Sequence, residues 1–502
     1  MKNQRFMMFM ALVLVSFAVV FHSCAGGGGG EDGDGDIGNP QLTITSHSDG
    51  QEVYGSRTIT LSGTISDSRT ITAVWVNLNG TDVSASFTQT SFSVSLTLDN
   101  RTNVITARAV NDKNTTGTET ITIQYPFVAL TTFQSASVVI GQPDFISSSA
   151  NQGGSAGANT MGVVWGNVVV YNGVLYLPDY GNNRVLGFNS VPTTNNASAD
   201  FVLGQPDFTT TTGGNTADMM GGPQTVKVDN GRMLIDEHGN NRVLIWITVP
   251  TLTQVPADIV VGQTGFGVSV GACTQSGLNN PESIETVDGK LIVTDTGNSR
   301  IIIWNKIPTS DGAPADIVLG QNSFTNRAGN DDDQDGNPDA NPTARTLNSP
   351  SGAWSDGTRL IVADTRNNRV LIWNTYPTAN FTPADVVLGQ SDMISNAAGL
   401  SDKDMNDPYH MTSNGNQLFV CDGRNNRVLI WDSIPTTNYA SADRVLGQSD
   451  FVHGTRNDDD QDDADDGQPS ARTLRWPEGV YAYEDKLIVT TSNHRYLIFE
   501  EL

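Results

Sequence analysis

The sequence predicts an all-β protein in two folded parts, an antiparallel sandwich followed by a six-bladed β-propeller. Three observations carry this expectation. Apolar and polar residues alternate at period two through residues 41–126, with turn-forming pairs between the runs. The dipeptide Gly-Gln recurs at Gly141-Gln142, Gly204-Gln205, Gly262-Gln263, Gly320-Gln321, Gly389-Gln390 and Gly447-Gln448, in steps of 63, 58, 58, 69 and 58 residues. Each unit so marked holds four short strand-like runs, which at this period is the content of one propeller blade.

The chain starts with Lys2 and Arg5, then an apolar run from Phe6 to Phe21 that is too short to span a bilayer comfortably. Phe21-His22-Ser23-Cys24 follows, then Ala25 and a run of glycines. This resembles a bacterial lipoprotein signal, with Phe21 where such signals usually carry Leu. The resemblance implies removal of residues 1–23, lipidation of Cys24, export, and a lipid anchor in the cell envelope as the protein's contact with a membrane. With no Asp after Cys24, it implies the outer membrane. Residues 24–40 form an acidic, Gly-rich tether with a reach of roughly 20 Å. With Cys24 lipidated, Cys273 and Cys421 remain in different repeats, so packing rather than a disulfide is expected to supply stability.

In residues 41–126 the alternating runs include Ile59-Thr60-Leu61-Ser62, Val74-Trp75-Val76-Asn77 and Phe92-Ser93-Val94-Ser95-Leu96, separated by signals such as Asp49-Gly50 and Asn79-Gly80. This unit resembles a bacterial immunoglobulin-like domain without the cysteine pair of antibody domains.

Residues 127–502 carry the repeat. Each unit passes from Pro through an apolar run to a polar turn, then to Arg and an apolar strand, and ends in Gly-Gln. The turns are Asp179 to Arg184, Glu237 to Arg242, Asp295 to Arg300, Asp364 to Arg369 and Asp422 to Arg427, with a shortened sixth, Thr491 to Arg495. These motifs resemble the NHL family, which implies a six-bladed β-propeller. The last unit lacks a fourth strand, while Ala136 to Gln142 has no partner of its own. That segment is therefore expected to pair with the last blade and close the ring.

Features present in every blade are expected to be architectural. The acid and Arg columns stand five residues apart, placed for a bidentate, charge-assisted contact across one turn. The aromatic column Phe188, Trp246, Trp304, Trp373, Trp431 and Phe499 is expected to pack between blades.

Departures from the repeat point to function. Two loops between blades are 28 residues long where 17 is usual. The first contains Asp331, Asp333, Asp335, Gly336 and Asp339; the second contains Asp458, Asp460, Asp462 and Asp466, with Asp463 in place of the glycine. Alternating carboxylates around a tight turn present hard oxygen ligands to one point, the chemistry of Ca2+ binding, although Pro342 stands where a twelfth-position Glu would close such a loop. The residue after each blade-opening Pro faces the funnel mouth and includes Glu282 and Glu478. With His238 and His410 these are the candidate catalytic residues. NHL propellers that are amidating lyases hold catalytic zinc with His from separate blades, and propeller lactonases use funnel carboxylates around a metal. Zinc is not expected here, because the surroundings of these His do not match that pattern.

A net charge of −26 excludes a nucleic-acid partner, since nothing supplies a basic footprint. The expected function is a lipid-anchored binding module with a protein or glycan ligand at the propeller's top face. A metal-dependent lyase or lactonase in the funnel is the alternative, and a purely structural head stiffened by calcium is a third.

Overall fold

The computed structural model describes residues 38–53, 57–99 and 101–500. The leader, Cys24 and most of the tether lie outside these residues. Residues 41–125 build two facing sheets. One orders Gln41–Ile44, Thr58–Ser66, Ser91–Thr97 and Ser86–Phe87; the other orders Gln51–Glu52, Thr116–Tyr125, Arg101–Asn111, Ile71–Leu78 and Thr81–Ser84. The alternation has its expected consequence: Ile59, Leu61, Phe92, Val94 and Leu96 face Val74, Val76, Ile105, Ile121 and Ile123 in a single core. The pairing is antiparallel except at Gln51–Glu52, which runs parallel to Thr116–Tyr125. That short segment enters from a turn rather than from a hairpin.

The chain then reaches the propeller through a fixed junction. The Gln417 side chain accepts from the Val128 amide and donates back to the Val128 carbonyl, and Asn416 Nδ2 donates to the Pro126 carbonyl at 2.7 Å. The Arg444 guanidinium lies 5.5 Å above the Phe127 ring.

Six four-stranded sheets follow, which we number as blades 1 to 6. Blades 1 to 5 each use consecutive strands, beginning with Val169–Tyr171, Pro223–Asp229, Ser283–Val287, Gly352–Ser355 and Pro408–Ser413. Blade 6 comprises Pro477–Tyr483, Lys486–Thr491 and Arg495–Glu500, completed by Val138–Ile140. Val138 pairs with Ile498, Val139 with Leu497 and Ile140 with Tyr496, so the ring closes as the strand deficit predicts. Apolar side chains of neighbouring blades interlock at each seam. At the seam of blades 2 and 3, for example, Leu234, Val243 and Ile245 meet Ile284, Val293 and Trp304. The aromatic column packs as expected, and the four indoles also tie down a turn: Trp246, Trp304 and Trp373 each donate Nε1–H to a carbonyl nine residues on at 3.0 Å, and Trp431 does so at 3.2 Å.

The repeating polar residues are one hydrogen-bond lattice. Arg184, Arg300, Arg369 and Arg427 meet Asp179, Asp295, Asp364 and Asp422 at 2.8, 2.6, 2.8 and 2.8 Å, and Arg242 meets Glu237. Both partners are fully buried. The contact is through Nε alone, not bidentate as the spacing led us to expect, because the second carboxylate oxygen is taken by a backbone amide, as in Asn348 N–H to Asp364. Three of the remaining guanidinium hydrogens go to carbonyls: Arg369 reaches Met393 on the loop after its blade and Thr343 and Thr346 on the loop before it. Removing one member of such a pair leaves a buried charge uncompensated, a loss of about 3–5 kcal/mol.

Gly-Gln has a matching role. Gln390 Nε2 donates to the carbonyls of Asn368 and Ala397, and Gln205, Gln321 and Gln448 do the same in their blades. The preceding glycine must be glycine: Gly204 lies at φ +82°, and a Cβ there would stand 2.6 Å from Met220.

Candidate functional site

The six sheets converge on a central funnel whose mouth is a cavity of about 300 Å³. The column after the blade-opening residue, Gly166, Gln224, Glu282, Ser351, Tyr409 and Glu478, rings the axis there, because strand one of every blade is innermost. Glu282, Ser351, Tyr409 and Glu478 line the cavity, with Trp165 and Trp476 as aromatic walls and Arg366 and Arg424 at the rim. Trp165 packs on Tyr180 with ring centroids 4.3 Å apart. Arg424 pairs with Asp407 and lies 5.4 Å above the Trp476 ring.

The next position along each strand closes the cavity from below. Asn167 of blade 1 accepts from the Val480 amide of blade 6 at 2.6 Å and donates to the Met411 carbonyl of blade 5 at 3.4 Å. His410 of blade 5 places Nε2 3.1 Å from the Glu282 carbonyl of blade 3. These two side chains bridge the axis because Gly352 and Gly479 leave room: a Cβ on Gly479 would sit 1.9 Å from the Gly166 carbonyl oxygen. His410 is thus a strut. Burial holds its imidazole down to about 4, so it is neutral at physiological pH.

Burial governs the carboxyls. It lifts Glu282 to about 7 against the ionising influence of the Ser351 and Tyr409 hydroxyls and of Arg366. Glu478 is buried further and stands well above its ordinary range; Ser492 Oγ donates to it at 3.0 Å, while the Glu282 charge opposes its ionisation. Asp236, beneath them on blade 2, is likewise raised by burial. One oxygen each of Asp236, Glu282 and Glu478 has no protein hydrogen-bond partner. Burial thus favours the protonated form of Glu478 and Asp236, and shifts the mouth toward hydroxyl-bearing acids.

Trp476 was not visible as a site residue in the sequence analysis. The residue before each blade-opening Pro takes a left-handed backbone: Gly222, Asn280, Ser349 and Asp407 at φ +63°, +47°, +49° and +49°. Small polar residues tolerate this region; a tryptophan does not, and such strain costs on the order of 1–3 kcal/mol. Trp476 is held there at φ +43°. The signal was the odd member of that column.

His238 does not join Glu282 and Glu478 at a shared centre. It stands where Thr296 and Thr365 donate to the Pro350 and Pro408 carbonyls, at 2.6 and 2.7 Å, and its own ring bonds the equivalent Pro281 backbone. Among the described residues, three or more metal-ligating side chains with ligand atoms within 4.8 Å of one another occur at Asp331, Asp333 and Asp335 and at Asp458, Asp460 and Asp462. The funnel residues form no such group.

The two acidic loops fold alike. Asp331 accepts the amides of Asp335 and Gly336, and Asp458 those of Asp462 and Asp463. Asp339 and Asp466 turn back to accept the Asp332 and Asp459 amides. Gly336 at φ +89° is matched by Asp463 at φ +68°, so aspartate fills the turn without glycine. The Asp462 charge pushes the neighbouring Asp460 carboxyl up.

A larger, shallower depression of about 520 Å³ lies over blades 1 and 2. Glycines and asparagines line it, and Tyr180 is its single titratable side chain.

Residues 40–127 match a family model described as glucodextranase, domain B. No curated protein matches the chain. Among solved structures, the chain is similar to BamB from Moraxella catarrhalis, at 10% identity over 92% of this chain and 94% of that one, with a TM-score of 0.28. It is also similar to a putative 6-phosphogluconolactonase from Bacteroides fragilis (12% identity, 79% and 86% covered, TM-score 0.36). A third is the PQQ-bound aldose sugar dehydrogenase from Streptomyces coelicolor (12% identity, 69% and 96% covered, TM-score 0.37). These likenesses concern the fold alone.

The funnel electrostatics have a measurable consequence. Glu282 holds its proton more tightly folded than unfolded, so its contribution to stability is complete below its ordinary 4.5 and is lost as pH rises through about 7. In urea titrations across this window, Glu282→Gln should lose less stability with rising pH than the unsubstituted protein. Equal slopes would contradict the burial assigned to Glu282.

Proposed function

We propose that this protein is a cell-envelope lipoprotein whose propeller binds a neutral glycan in the funnel mouth. The observation that carries the reading is Trp476, an aromatic platform held at strained geometry beside two carboxyls raised by burial. Sugar rings stack their apolar faces on indoles while their hydroxyls exchange hydrogen bonds with groups that both donate and accept. Carboxyls whose protonated form burial favours, Ser351 and Tyr409 are such groups, and the rim arginines add donors. The domain match, to a module described from a glucodextranase, agrees with a carbohydrate setting. The raised Glu282 also suits a general acid, which favours a second reading in which the funnel cleaves the glycan it binds.

Calorimetric titration of the purified protein with neutral mono- and oligosaccharides, glucans included, tests this. Trp476→Asn copies the residue type found in blade 3, so the variant should fold at least as stably while binding weakens about tenfold or more, roughly 1.4 kcal/mol. Absence of binding to any of these sugars sinks the glycan reading; recovery of cleaved sugar replaces binding with hydrolysis.

The acidic loops are proposed Ca2+ sites, since their paired geometry gathers three carboxylates at each of two places, and ion pairs to Arg345, Arg456 and Arg472 meet only part of the loops' charge. Millimolar calcium should raise the melting temperature of the protein, and Asp333→Asn with Asp335→Asn should reduce the shift. A melting temperature indifferent to calcium rejects the sites.

Display from the outer membrane through a lipid on Cys24 completes the proposal, supported by the sequence around that residue. Cys24→Ala should move the protein from the membrane fraction to the soluble one; an unchanged distribution argues against the anchor.

A further inference from the structure

The buried lattice of acid and Arg is broken in one blade. In blades 1 to 5, Arg Nε–H meets a carboxylate oxygen; in blades 1, 3, 4 and 5 an Asn amide of the same turn donates to that oxygen, as Asn367 does to Asp364 at 2.7 Å, and in blade 2 Asn240 donates to the other oxygen of Glu237. In blade 6 the turn is one residue shorter and Thr491 occupies the acid's place in the register, paired with Arg495 as Asp364 is with Arg369. Arg495 is nevertheless as fully buried as its counterparts. It bonds the same kind of carbonyls, Phe145 through one terminal nitrogen and Ser470 and Thr473 through the other, at 2.9 and 3.3 Å for the latter pair. Its Nε has no hydrogen-bond partner.

Thr491 replaces half of the missing carboxylate. Its Oγ1 accepts the Arg475 amide at 3.1 Å, the bond that Asp364 makes to Asn348. A threonine ends at the γ atoms, one bond short of where the second carboxylate oxygen would lie. Asn493 donates to Asn457 at 3.0 Å, as Asn367 does to Asn330, and the amide's other hydrogen is the one its counterpart gives to the carboxylate. Asp144, the carboxylate whose charge acts on Arg495, is itself at the exposed surface. Burial without an adjacent anion drags Arg495 down to about 9.

We propose that Arg495 Nε and the Asn493 amide bind a small monovalent anion, chloride, at the position that a carboxylate oxygen fills in the other five blades. A single-oxygen position suits a halide rather than sulfate or phosphate. The anion restores charge balance at the blade that closes the ring.

The test is the melting temperature of the whole protein at constant ionic strength as sodium gluconate is exchanged for sodium chloride. Chloride should raise it saturably by several degrees. Thr491→Asp supplies both oxygens covalently, so that variant should be at least as stable in gluconate as the unsubstituted protein in chloride and should lose the dependence. An unsubstituted protein indifferent to chloride, or a Thr491→Asp variant that retains the full shift, overturns the proposal. If the variant does not fold, bromide in crystals of the unsubstituted protein decides: an anomalous peak within hydrogen-bond reach of Arg495 Nε supports the site, and no peak there refutes it.

Discussion

In blades 1 to 5 a guanidinium is desolvated completely and then given four hydrogen-bond partners within the protein. One carboxylate oxygen takes Nε, and carbonyls from two separate loops take the terminal nitrogens, as Arg369 illustrates with Met393, Thr343 and Thr346. Burial raises the partner carboxyl of Asp364 even beside its arginine, a measure of how expensive the interior is for charge. Such a pair adds little net stability compared with apolar packing, but a half-made pair is costly. The clamp therefore selects one arrangement of turn and loops out of many. The top-face loops stand where they do because each blade's arginine holds the loop before it and the loop after it.

Once the loops are fixed, the innermost strands deliver one side chain per blade to the axis. Asn167 and His410 bridge the strands below the mouth, so the funnel is a floored cup. Burial around Asp236, Glu282 and Glu478 disfavours the charged form of each carboxyl. A chain with net charge −26 thus carries an acid-lined mouth whose carboxyls burial shifts toward their neutral form. Its charge lies outward, in loops where Asp332 and Asp459 are met by Arg345 and Arg472 while Asp333 and Asp460 face solvent.

The same lattice explains two histidines of the blade turns, His494 and the candidate His238. His494 fills the left-handed turn position that Asn183, Asn241, Ser299, Asn368 and Asn426 fill elsewhere, and its ring reaches the Gly162 carbonyl at 2.7 Å. His238 replaces a threonine that joins one blade to the next. Both are variations on an architectural position, and neither brings a ligand atom to the funnel centre.

The sequence by itself determined the parts that rest on local periodicity. Alternation at period two set the sandwich strands, the recurring Gly-Gln and acid-to-Arg turns set the blades, and the missing fourth strand of the last unit set the closure by Val138–Ile140. The list of funnel-facing residues was also legible, since strand position alone decides it. What only the tertiary structure decided depends on partners far apart in the chain. The strut from Asn167 to Val480 spans 313 residues and that from His410 to Glu282 spans 128, and no local pattern records either. The upward shift of the Glu282 and Glu478 carboxyls follows from burial among strands of separate blades. The strain at Trp476 and the unpaired Nε of Arg495 become meaningful once five equivalent blades are superimposed in space, because a departure has physical content only against the environment it departs from.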